Sequence, residues 1–192
     1  HATVNPHVLE KQLSIGDGYS KYENMTGVYL PIGMHTILVA GIAEGKEVKL
    51  IIPNWLRKAQ NPEKPAEDPN WGLEKKGYEL KNGVNSITVK DYGSLAYINY
   101  FATDPSQENP ITIHFLTGEV NGYFDNATDS DKDWNRLIEN QVFPILDAKG
   151  QNIQIAYPKE ELKKYAYGRG KELINNYDSL VYRQYRLMGL EK

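Results

Sequence analysis

Tyr78-Glu79-Leu80-Lys81-Asn82-Gly83-Val84-Asn85-Ser86-Ile87-Thr88-Val89-Lys90 is the stretch that decides the fold class. Tyr78 to Leu80 and Ser86 to Lys90 read as strands, and Asn82-Gly83 reads as the turn between them. Asn and Gly enter positive-φ turn positions at the least steric cost. The same grammar extends upstream. Val28-Tyr29-Leu30 is a short strand stopped by Pro31, His35 to Ala40 is a β-branched and apolar run, and Val48 to Ile52 alternates until Pro53. It also extends downstream, through the Tyr-rich run Leu95 to Phe101 and through Ile111 to Leu116. Short strands at this spacing, separated by Gly, Asn and Pro, predict a β-sandwich over about 27–124.

Two segments break the pattern. Residues 1–26 read as a lead-in segment, with a short helical turn at Val8 to Leu13 and a break at Gly16-Asp17-Gly18. Residues 53–76 read as a long loop punctuated by Pro53, Pro62, Pro65 and Pro69. After Phe124 the period changes from two to 3.6. Ser130 and Asp133 have the spacing of a helix cap, and Trp134, Leu137, Ile138 and Val142 follow a helix face that Pro144 ends. Ile153 to Tyr157 is a strand candidate, and Pro158 opens a second helix. Leu173, Ile174, Tyr177, Leu180, Val181, Gln184, Tyr185 and Met188 mark the last helix. Gly189 stands where a C′ glycine belongs. The expected architecture is mainly β with an α+β appendage: the sandwich, then helices and one strand over about 130–188. In domain terms, 27–124 is the sandwich and 125–192 the helical segment.

Composition excludes several classes. The 192 residues carry a formal net charge of -3 and are 40% hydrophobic and 24% charged, a soluble globular balance with no basic surface for nucleic acid. Cysteine is absent, which removes disulfides, thiolate metal sites and cysteine nucleophiles together. No apolar run approaches the roughly 20 residues that span a bilayer, so membrane insertion is not expected. The start, His1 to Pro6, has no basic region followed by an apolar one. Tyrosine is abundant, at 14 against 4 Phe and 3 Trp, as suits half-buried strand faces.

No residue pattern for chemistry is complete. The histidines are His1, His7, His35 and His114, and none has the i, i+4 spacing of a zinc-binding helix. His35 and His114 fall on strands, where a hydrogen-bonded structural role outweighs ligation. Asp129-Ser130-Asp131-Lys132-Asp133 imitates half a calcium loop, but Trp134 stands where a turn glycine is required, and helix capping accounts for the same acids. Trp55 and Trp71, in the proline-rich loop, are the candidate contacts for a sugar or peptide; the alternative is that they fold back over the sheet edge.

Several stretches together resemble the enhancin-like, mucin-targeting zinc metallopeptidases of gut bacteria. They are Asn24 to Gly33, then Leu80 to Ile87 with Tyr92 to Ile98, then Ile113-His114 through Tyr123-Phe124 to Asp133-Trp134. Pro144 to Leu146, Ile153 to Pro158 and Met188-Gly189-Leu190 complete the set. Their order and spacing carry the resemblance. It implies that this chain is the non-catalytic front part of a secreted peptidase acting on glycoproteins at a bacterial surface or in the periplasm. The zinc would be held by a His-Glu-x-x-His helix in a further region, so the resemblance puts no metal and no catalytic residue on any position here. The chain stops three residues after Gly189, which also predicts a helical region to follow. The alternative is a stand-alone carbohydrate-binding or adhesin-like sandwich that contacts glycan through Trp55 and Trp71.

Overall fold

The computed structural model describes residues 1–5, 24–58, 61–64, 67 and 75–189. They form two compact units, His1–Glu119 and Val120–Lys192.

The first unit is built from strands β1 (Thr3–Val4), β2 (Met25–Leu30), β3 (Gly33–Ala40), β4 (Lys49–Pro53), β5 (Lys75–Glu79), β6 (Gly83–Val89), β7 (Ser94–Asn99), β8 (Phe101–Ala102) and β9 (Thr112–Phe115). One sheet has the order β10-β2-β7-β4-β5, where β10 (Glu119–Val120) is the short strand at which the chain passes between units. A second sheet has the order β6-β3-β9, antiparallel throughout. Strand alternation selects which residues turn inward. Ile37 and Val39 of β3 and Ile87 and Val89 of β6 join Leu50, Ile52, Ala96 and Ile98 of the first sheet in one buried cluster. Removing eight such side chains from water supplies the main drive for this unit.

The Asn82-Gly83 turn does not join paired strands. β5 pairs with β4 and β6 with β3, so the chain changes sheets here. Side chains replace the missing ladder. Asn82 Oδ1 accepts from the Ile42 N–H and its Nδ2 donates to the Ile42 carbonyl. Asn85 Oδ1 accepts from the Lys81 N–H and its Nδ2 donates to the Lys81 carbonyl. The lead-in segment is also not free of sheet structure: β1 pairs in parallel with β8, and β2 begins at Met25. The proposed helical turn at Val8 to Leu13 lies outside the described residues.

The second unit contains β11 (Tyr123–Asp125), α1 (Asp131–Asn140), β12 (Ile145–Lys149), β13 (Gln154–Pro158), α2 (Lys159–Ala166) and α3 (Gly170–Leu187). Its sheet runs β11-β12-β13, with β11 parallel and β13 antiparallel to the middle strand. Over 130–188 two strands, β12 and β13, therefore stand where the sequence predicted one, and β11 lies at the end of the range read as sandwich. The missed middle strand, Ile145-Leu146-Asp147-Ala148-Lys149, contains Asp and Ala, which favour strands poorly. It is a strand because burial on both faces and pairing on both edges hold it there; Ile145 to Ala148 are all buried. Helix α1 ends at Asn140 rather than at Pro144, and the Gln141 N–H closes its last turn on the Leu137 carbonyl.

Trp134 centres this unit. It is fully buried, meets Phe124 edge-on with centroids 5.0 Å apart, and donates its indole N–H to the Ala166 carbonyl at 2.9 Å. One residue thus ties α1 to β11 and to the end of α2. Helix α3 begins against it: a methyl group on Gly170 would come within 2.4 Å of the Trp134 ring. The C′ glycine holds as predicted, since Gly189 has φ +69° and its N–H meets the Arg186 carbonyl.

Candidate functional site

Each sequence-predicted site residue has a definite place. Trp55 follows β4 and is half-buried. Its indole N–H donates to the Tyr97 hydroxyl at 3.0 Å, and the rings meet edge-on at 6.2 Å. Tyr97 is fully buried, and Ala96 and Ile98 on either side of it point into the main cluster, so Tyr97 and Trp55 occupy the other face of that sheet. The indole nitrogen is thereby engaged within the protein. Trp71 lies outside the described residues.

The two strand histidines stand apart. His35 is buried, with Nε2 2.7 Å from the Pro31 carbonyl and Nδ1 3.1 Å from the Thr117 hydroxyl. A carbonyl can only accept, so Nε2 carries the proton and Nδ1 accepts from Thr117. Thr117 Oγ1 in turn accepts from the Thr36 N–H. Both ring nitrogens are occupied. His114 pairs with Leu38, whose side faces away from the cluster that His35 borders, so the two imidazoles lie on opposite faces of one sheet.

The acids of residues 125–133 are engaged in turns and caps. Asp129 accepts from the Asp125 N–H, and Asp131 from the Lys171 N–H. Ser130 and Asp133 form a complete capping box at the start of α1, and the Ser130 hydroxyl and N–H hold the Asp133 carboxyl below its ordinary range. The cation in this loop is a lysine: Lys171 Nζ donates to the Asn126 and Asp129 carbonyls at 2.8 and 2.9 Å. Capping and an internal ammonium thus account for the calcium-like spelling. Among the described residues no three His, Cys, Asp or Glu side chains converge as metal ligands. The described donors do not fit a zinc centre.

Sequence reading did not single out a concavity of about 230 Å³ in the second unit. Leu162, Ala166 and Leu173 line its base, and Tyr157, Tyr165, Tyr177 and Glu161 line its sides. A spacing signal was present in each element. Glu161 and Tyr165, like Leu173 and Tyr177, are four apart on a helix, and Ile155 and Tyr157 are two apart on a strand. What the spacing lacks is the packing that brings the three faces together.

Comparison with known proteins finds a likeness of fold along the chain and of sequence over its last part. Residues 118–192 match the sequence profile of the family described as Peptidase M60, enhancin and enhancin-like. No curated protein matches the sequence significantly. Among solved structures, a metallopeptidase from Bacteroides thetaiotaomicron matches with a TM-score of 0.80 and 22% identity, over 99% of this chain and 31% of that one. A metallopeptidase in complex with Tn antigen matches equally well, covering 99% of this chain and 34% of that one. The M60 catalytic domain of Clostridium perfringens ZmpC, in complex with sialyl T antigen, matches with a TM-score of 0.69 and 15% identity, over 92% of this chain and 37% of that one. The chain therefore has the fold of the corresponding part of enhancin-like M60 peptidases, and its last 75 residues carry their sequence pattern. It spans about a third of the length of these solved proteins.

Proposed function

We propose that this chain is the non-catalytic front part of a secreted, enhancin-like zinc metallopeptidase that acts on mucin-like glycoproteins at a bacterial surface or in the periplasm. The observation that carries this reading is the family match over residues 118–192, joined to a fold shared along nearly the whole chain with metallopeptidases about three times its length. Two of the similar structures hold Tn antigen and sialyl T antigen, which supports a glycoprotein substrate for the longer protein. Zinc in that protein would activate water for attack on a peptide carbonyl. In this reading the ligands and the general base belong to a further region of the longer protein; among the described residues no three potential ligands converge.

The test compares this chain with the longer protein on a synthetic glycopeptide bearing Tn antigen. The longer protein is expected to cleave it and to lose that activity to a chelator, and the 192-residue chain is expected to leave it intact. Cleavage by the purified chain alone would overturn the assignment.

Within this reading we assign glycan contact to Trp55, together with Trp71. Trp55 is anchored by Tyr97 and only half-buried, and an indole fixed in advance loses little freedom on stacking against a sugar ring. Trp55→Ala would then weaken binding of an O-glycopeptide to the isolated chain. Unchanged binding leaves Trp55 as a covering residue of the sheet.

A further inference from the structure

The concavity between β13, α2 and α3 has a chemistry of its own. Its base is apolar: Leu162 and Ala166 are buried and Leu173 is half-buried. Its sides are aromatic, from Tyr157 on β13, Tyr165 on α2 and Tyr177 on α3, exposed by 46%, 66% and 37%. Glu161 is the one charged residue in the lining, and its carboxylate has no ion pair or hydrogen bond among the described residues. The hydroxyls of Tyr157 and Tyr177 also have no partner among them. An aromatic wall attracts a cation through the negative face of its rings, and a carboxylate adds a formal charge of the matching sign. The Tyr165 ring already has a cation, Lys164 Nζ, 4.7 Å from its centre, which leaves the Tyr157 and Tyr177 rings for an incoming one. The apolar surface continues past the pocket along α3, where Leu180 and Met188 are 53% and 51% exposed.

We propose that this pocket receives one basic side chain, Lys or Arg, flanked by apolar residues. Its source is the polypeptide that accompanies this chain in the longer protein. The inference rests on the reading above for that source and on the pocket itself for the chemistry. The base takes the aliphatic stem, the Tyr157 and Tyr177 rings face the cation, and Glu161 pairs with it. The flanking apolar residues lie along Leu180 and Met188. An aliphatic stem with a charged tip suits a pocket that is dry at its base and wet at its rim. Glu161, the charged residue of the lining, favours a basic segment over an acidic one, against the opposing charge of Lys164 over the Tyr165 ring.

The pocket chemistry is tested with N-acetyl-leucyl-arginine amide as the probe. It is titrated into the isotope-labelled chain and followed by NMR of the tyrosine rings and backbone amides. The comparator is the same peptide with citrulline, which keeps the shape and removes the charge. Saturable shifts are expected at Tyr157, Tyr177 and Glu161, with the citrulline peptide about fivefold weaker, the ratio that one partly screened cation contact provides. Glu161→Gln should reduce that preference while its spectrum away from the pocket stays unchanged. No saturable shift, or equal binding of the two peptides to the unaltered chain, would overturn the proposal. A failure of the longer-protein reading looks different: the peptide would still bind with its charge preference, and only the source of the natural segment would be lost.

Discussion

Gly170 shows how closely a single residue is specified. It is the first residue of α3, where alanine would otherwise favour the helix. The added methyl would sit 2.4 Å from two atoms of the Trp134 ring, which is fully buried and held by Phe124 and the Ala166 carbonyl. The ring cannot yield, so Gly170→Ala should destabilise the chain by about 1–3 kcal/mol, the usual cost of overpacking. Urea denaturation followed by tryptophan fluorescence measures this, and an alanine variant of equal stability would show that α3 is free to shift. Glu108 makes a second point at this scale. Its carboxylate accepts from Lys46 at 2.6 Å and from the Tyr100 hydroxyl at 3.0 Å. The Lys46 bond, helped by that of Tyr100, holds the carboxyl below its ordinary value of 4.5 against the opposing effect of partial desolvation. A carboxyl lowered on folding stabilises above its unfolded value, and that contribution is lost as pH falls through the folded one. Glu108→Gln should therefore lower the urea midpoint near neutral pH, and the gap to the unaltered chain should narrow below 4.5. A gap constant with pH would mean that Glu108 acts through shape alone.

Helix α3 is two different elements along its length. Its first turns belong to the core: Ile174 is fully buried and Leu173 packs against the same cluster. Its later turns carry the same periodic apolar stripe only partly covered: Tyr177, Leu180 and Met188 are exposed, and Val181 and Tyr185 are half-buried. The stripe by itself predicts one face; only the structure divides that face into a covered and an uncovered half. The division has an energetic consequence. Ile174→Ala leaves a cavity and should cost about 2–5 kcal/mol. Leu180→Lys removes little packing and should stay within about 0.5 kcal/mol. Thermal melts of the two variants decide this, and equal losses would mean that Leu180 is covered in solution.

For the molecule as a whole, the arrangement of donors sets what it can hold. His35 and His114 lie on opposite faces of one sheet, and the acids of residues 125–133 cap a helix and hold turns. The chain should accordingly retain far less than one zinc per molecule after dialysis against metal-free buffer, as measured by elemental analysis. Stoichiometric, chelator-resistant zinc would show that the histidines rearrange. The chain shares its fold with a part of metallopeptidases about three times its length.

Much of this protein was legible from local pattern. The strands of residues 25–115, the capping box at Ser130 and the C′ glycine at 189 each follow from rules that act over two to four residues. The enhancin-like resemblance was legible for a related reason, because the order of such motifs is itself a linear property. What the sequence left open depends on distance in space. Asn82-Gly83 has the composition of a turn, but its neighbours join different sheets, a choice made by which strands share the core. Ile145 to Lys149 is a strand against its own composition because it is buried between two others. The tyrosines and Glu161 of the second unit meet only after a strand and two helices have packed. Local rules decide what each segment becomes, while long-range burial and pairing decide which segments meet.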